Sequence, residues 1–111
     1  MSEPNVPPSE SPVEFTRYAI VSARILRDGA AVCWLYREAP DDADDSGWRL
    51  LAGDESEEYL DDPRNARRVP LREVERLDEG LDGLLRAPVG SAFERGDGAE
   101  AFVPSEAPQP E

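Results

Sequence analysis

Ser46-Gly47-Trp48-Arg49-Leu50-Leu51-Ala52-Gly53-Asp54-Glu55-Ser56-Glu57-Glu58-Tyr59-Leu60 is the stretch on which the fold turns. Two glycines bracket a short run of bulky residues, so Trp48–Ala52 reads as a strand. Gly53-Asp54-Glu55 then reads as a turn. Residues 56–62 suit a short helical turn, with Ser56 or Asp54 as its N-cap and Tyr59 and Leu60 facing inward. Pro63 ends it. Strand, turn and helix follow one another within fifteen residues, which points to an α+β chain.

The same reading extends in both directions. Upstream, alternation of Ala19, Val21, Ala23 and Ile25 predicts a strand from about Tyr18 to Leu26. Asp28-Gly29 separates it from a second apolar run, Ala31–Arg37, which predicts a hairpin. In that run Val32, Trp34 and Tyr36 share one face while Ala31, Cys33 and Leu35 share the other. Both faces are apolar, so the expectation is a central strand covered on both sides, with Cys33 an inert buried thiol. Residues 38–47, holding four aspartates, form a loop. Downstream, Arg67–Val69 reads as a short strand, and Pro70 suits the start of a helix carrying Leu71, Val74 and Leu77. Gly80 interrupts that helix, and Leu81, Leu84 and Leu85 suggest a further turn. Residues 88–95 lead into a strand. Gly96-Asp97-Gly98 turns the chain and Ala101-Phe102-Val103 returns. The predicted fold is α+β: a small, mainly antiparallel sheet of about five strands with one or two short helices packed on it. Residues 15–103 form its one domain. The Pro- and Glu-rich ends, 1–14 and 104–111, are expected to be disordered tails.

Composition narrows the chemistry. The 111 residues include no His and no Lys. A Ser-His-Asp triad, a Cys-His pair, a His-ligated zinc, a Schiff base and a P-loop therefore have no parts to be built from. One cysteine gives neither an internal disulfide nor a thiolate cluster. No apolar run approaches the roughly 20 residues that span a bilayer, and the N-terminus lacks a signal-peptide pattern. The expectation is a non-enzymatic cytoplasmic protein with no catalytic residues, no cofactor, no metal and no membrane partner. All basic residues are Arg, a bias expected of a GC-rich bacterial genome.

Charge is unevenly spread. The net charge is −13, and residues 41–63 alone carry −9. Such a stretch is either a solvated loop that maintains solubility or a field aimed at a basic partner. A calcium loop starting at Asp42 would place Gly47 correctly at its sixth position, but Gly53 stands where the closing carboxylate belongs. The arginines of residues 64–86 are nearly balanced by acids, so no nucleic-acid footprint emerges and no nucleic-acid partner is expected.

The pattern Asp45-Ser46-Gly47-Trp48, Leu50, Gly53-Asp54-Glu55 and Glu58-Tyr59 resembles a family of small bacterial proteins first grouped as a domain of unknown function. That family is now classed as an immunity-protein-33-like domain of polymorphic toxin systems. The resemblance extends upstream to Val21-Ser22 and to Val32-Cys33-Trp34-Leu35-Tyr36-Arg37-Glu38, and downstream to Pro88-Val89-Gly90-Ser91-Ala92-Phe93-Glu94-Arg95, so that it covers roughly residues 18–103. It departs at Leu51, near which the pattern has a bulky aromatic. It implies a non-catalytic module that binds and neutralises a toxin, and the acidic stretch would suit a basic toxin domain.

Two readings of the motif residues stand side by side. In one they fold a corner of the domain. In the other Asp44, Asp45, Trp48, Asp54, Glu55 and Tyr59 line a partner-binding surface, with Arg95 as a charge partner. A small-ligand sensor or carboxylate-based enzyme at Gly53-Asp54-Glu55, and an acidic interaction adaptor without a pocket, are the alternative functions.

Overall fold

The computed structural model describes residues 17–106 apart from 82 and 99. Nine regular elements organise them: β1 (Tyr18–Ser22), α1 (Ala23–Leu26), β2 (Trp34–Arg37), β3 (Asp45–Leu51), α2 (Glu57–Asp61), β4 (Ala66–Pro70), α3 (Leu71–Val74), β5 (Ala92–Glu94) and β6 (Val103–Pro104). Short 3-10 turns at 63–65, 75–77, 79–81 and 84–86 complete the connections.

The strands form one sheet in the order β4-β1-β3-β2-β5-β6. β1 and β3 run parallel; the other neighbours are antiparallel. The α+β expectation holds, with six strands in a mixed sheet. The predicted Asp28-Gly29 hairpin does not. β3 lies between β1 and β2, so the two runs never pair. Gly29 does turn the chain at φ 76°, and the Ala30 amide donates to the Arg24 carbonyl at 3.0 Å. The first strand also ends earlier than alternation predicts. The Ser22 hydroxyl accepts from the Arg24 amide at 3.1 Å and caps one turn of helix over Ala23–Leu26. Alternation at Ala23 and Ile25 buries both residues equally well on a helical turn, so the pattern alone could not separate the two.

One face of the sheet builds the core. Ala19, Val21, Leu35, Trp48 and Leu50 pack with Ile25, Leu71, Val74, Leu81 and Leu85. The helix expected after Pro70 is α-helical only to Val74 and then tightens into 3-10 turns, leaving Leu77 exposed. Leu60, expected to face inward, is 48% exposed. The returning strand begins at Val103, two residues later than predicted, and pairs with β5. The tail expected from residue 104 therefore starts inside the sheet: Pro104 pairs with Phe93, and the Ser105 amide donates to Ala92 at 2.8 Å. Residues 1–14 and 107–111 of the expected tails lie outside the described residues.

Candidate partner-binding surface

The acidic loop closes the β2–β3 hairpin, and its far end is a bulge. Pairing with β1 slips between Tyr18↔Asp45 and Ile20↔Arg49, so β3 spends two extra residues there. Gly47 makes the bulge possible. It sits at φ 91°, and a Cβ would lie 2.2 Å from the Glu38 carbonyl oxygen. Asp45 is fully buried beneath it. Its carboxylate accepts from the Gly47 amide and the Asp41 amide, each at 2.8 Å, and from both terminal nitrogens of Arg49 at 2.9 Å. Those Arg49 bonds hold the Asp45 carboxyl well below the usual carboxylate range, against the opposing effect of burial. Burial on its own would weaken the charge on Arg49, but Asp45 and Glu38 outweigh it and raise the guanidinium pKa. Glu38 accepts from the Arg49 Nε at 2.7 Å, and Arg37 Nε donates to the Ser46 carbonyl at 2.8 Å. Trp48 points into the core with its indole N–H on the Leu85 carbonyl at 3.0 Å.

The second half of the motif is a turn and a cap. Gly53 adopts φ 99°. Glu55 accepts from the Ala52 and Gly53 amides at 2.8 and 2.9 Å. Burial would raise the Glu55 pKa; a bond from Ser22 and these backbone amides lower it and prevail. The Ser56 hydroxyl caps α2 by accepting from the Tyr59 amide at 3.1 Å. Asp54 holds Arg24 through two bonds, at 3.1 and 2.6 Å, and Arg24 lowers its pKa.

Arg95 does not pair with Asp54 or Glu55. Its guanidinium donates to the Val32 carbonyl at 2.8 Å and to Asp78, and stands 4.1 Å from the Phe102 ring centre. Asp54 and Arg95 nevertheless line the same open groove, of about 710 Å³, together with Trp34, Glu94 and Glu100. Asp44 is exposed on the hairpin loop, and its carbonyl accepts the Tyr18 amide at 2.8 Å. Tyr59 is half-buried, and its hydroxyl finds no hydrogen-bond partner among the described residues. The seven motif residues are therefore dispersed. Asp45 and Trp48 are inside, Glu55 serves a turn, and Asp44 and Asp54 reach the surface on separate loops.

A different surface assembles on the sheet face opposite the core. β2 was expected to be covered on both sides, but no helix of the described residues covers this face across its centre. Cross-strand pairing places Tyr18, Ile20, Trp34, Tyr36 and Leu51 on it, around the Arg49 guanidinium. All five are half-buried. The Trp34 and Tyr36 rings lie 5.1 Å apart, and Arg68 covers the Tyr18 ring at 4.9 Å. α2 borders the face through Leu60, beside a hollow of about 190 Å³ shared with Ile20, Tyr36 and Leu51. Glu38 and Asp41, tied to Arg49 at 2.7 and 3.8 Å, leave 51% and 77% of their side chains in solvent. The result is an aromatic patch with an acidic border. Cys33, expected to be buried, is only half so. The apolar pattern of β2 predicts Trp34 and Tyr36 as core. The signal that would have found them is that two short helices cannot cover both faces of a six-stranded sheet.

The family model for the Immunity protein Imm33 domain matches residues 19–106. The chain belongs to this family. The Imm33 match runs from β1 through β6 and takes in the bulge, the Gly53–Glu55 turn and most of the aromatic face, so the resemblance read from the motif extends over the whole sheet. No curated protein and no solved structure matches this Imm33 chain. Among its described residues no helix is long and apolar enough to cross a membrane.

Proposed function

We propose that this Imm33 domain is a non-catalytic, toxin-neutralising module that works in the cytoplasm by covering a basic toxin domain with its open sheet face. The observation that carries the reading is the partly exposed aromatic face of Trp34, Tyr36 and Tyr18, bordered by Glu38 and Asp41. Aromatic and Arg side chains dominate the energetics of protein interfaces, and acidic borders steer basic partners. The carboxylates of the alternative ligand or enzyme site are less available. Glu55 is engaged by two backbone amides and Asp54 by Arg24. The adaptor alternative needs no pocket and shares the acidic border, but gives the aromatic patch no role.

The test is co-expression with the product of the adjacent gene, followed by calorimetry of the purified pair. Relief of toxicity and binding are expected. Trp34→Ala with Tyr36→Ala should weaken binding about 100-fold or more, since interface anchors typically contribute about 2 kcal/mol each or more. Unchanged affinity in that variant would remove the open face from the reading. Absence of both binding and rescue would remove the toxin.

A further inference from the structure

A second surface, at the β4 edge of the sheet, gathers positive charge. β4 is the outermost strand among the described residues, and none of them pairs with its outer side. Beside it lies a groove of about 440 Å³, lined by β4, the end of α1 and residues 73 and 77. Leu26, Val69 and Leu77 give it an apolar floor, and Arg27, Arg67 and Arg68 surround that floor. Arg27 arrives from the end of α1, forty residues before the other two. The sequence therefore showed only balanced charge along 64–86, where the fold shows a basic cluster. None of these three arginines makes an ion pair within 4 Å among the described residues. Arg27 reaches the Asn65 side chain at 3.3 Å, and Arg68 lies over Tyr18. Glu73 is the acidic side chain among the groove's lining residues.

We propose that the free edge of β4 and this arginine groove form a second docking surface, which takes an extended acidic segment of another protein as an added strand. Three features select that occupant. A free strand edge offers amides and carbonyls in a register that only another polypeptide strand satisfies. The alternation of β4 places Arg67 and Val69 on the helical side, opposite Val21 and Ala19, and Arg68 on the other. A strand with alternating apolar and acidic residues would meet both. Like charges on facing strands repel, so Arg67 and Arg68 disfavour pairing of two copies through β4 while they attract a strand of opposite sign. Nucleic acid could use the guanidinium groups, but neither the strand edge nor the apolar floor.

The probe is a blocked seven-residue peptide alternating valine and glutamate, titrated into the full chain. Amide shifts at 66–69 and slowed hydrogen exchange on β4 are expected, with no effect from a valine–lysine peptide. R67E with R68E should weaken the valine–glutamate peptide at least tenfold and let the valine–lysine peptide bind, which also shows that the variant is folded. Equal binding of both peptides to the wild type would overturn the proposal. So would shifts confined to the open face, or an oligothymidylate that binds these arginines where the peptide does not. The inference is independent of toxin binding. Trp34→Ala with Tyr36→Ala should leave the peptide affinity unchanged, so either claim can fail alone.

Discussion

At the scale of single residues the β3 bulge concentrates the constraints. Gly47 needs both a left-handed backbone and the absence of a Cβ, since the Glu38 carbonyl occupies that space. Gly29 needs only the first, because nothing lies within 4 Å of its would-be Cβ. Left-handed backbone costs a side-chain-bearing residue about 1–2 kcal/mol. Gly29→Ala should therefore lose about 1 kcal/mol, whereas Gly47→Ala should lose about 3 kcal/mol or more, through strain and forced separation of β2 from β3. Urea midpoints at unchanged slope would measure the difference. Asp45 has a second consequence. Its folded pKa is depressed, so its stabilising effect is complete above the unfolded carboxylate range near ~4 and is lost as pH falls through the lower folded value. Asp45→Asn leaves Arg49 buried beside a neutral side chain, with only Glu38 and Asp41 at its outer edge. It should cost about 3–5 kcal/mol at neutral pH, and the penalty should shrink in strong acid. Denaturant titrations of both proteins at pH 7 and at low pH would show it.

At the scale of elements the sheet should open from its edges. Among the described residues β1, β3 and β2 each have two neighbours, while β4 and β6 have one. Hydrogen exchange should be slowest at Val21, Leu35 and Leu50 and fastest at β6, with β4 between. Uniform protection across the sheet would contradict this order. The strands and turns defined by local contacts were legible in the sequence. Trp48–Leu51, the Ser56 cap and the Gly96–Gly98 return all follow from nearby residues. The parallel β1–β3 pair was not, because a contact across more than twenty residues leaves no local mark and the Asp28-Gly29 pair imitates a hairpin. Of the candidate surface the sequence showed only the acidic stretch that begins at Asp41; Glu38, Trp34 and Tyr36 were not among the expected site residues. Asp45 reads as one solvated aspartate among four until the bulge folds it onto Arg49. Trp34 and Tyr36 read the same whether a helix or a partner is to cover them, since alternation reports an apolar face and not its occupant.

At the scale of the whole molecule acidic and basic groups gather on different elements and meet at Tyr18, which Arg68 covers. The hairpin loop and the Glu38–Asp41 border lie at the aromatic face, and the arginine groove lies at the β4 edge. With a net charge of −13 and residues 41–63 carrying −9, association with a basic partner should be fast at low salt. Its rate constant should fall about tenfold or more between ~20 and ~300 mM salt, while dissociation changes little. Stopped-flow mixing across that range would measure both, and a flat rate profile would deny the loop any steering role. The two tryptophans, finally, sit in opposite surroundings. Trp48 is sealed in the core on the Leu85 carbonyl, whereas Trp34 is partly open to solvent at the proposed interface. Their fluorescence should divide accordingly: blue-shifted, quencher-resistant emission that reports folding, and red-shifted, iodide-accessible emission that a bound partner would shield. One unlabelled chain then gives separate optical readouts of whether it is folded and whether it is occupied.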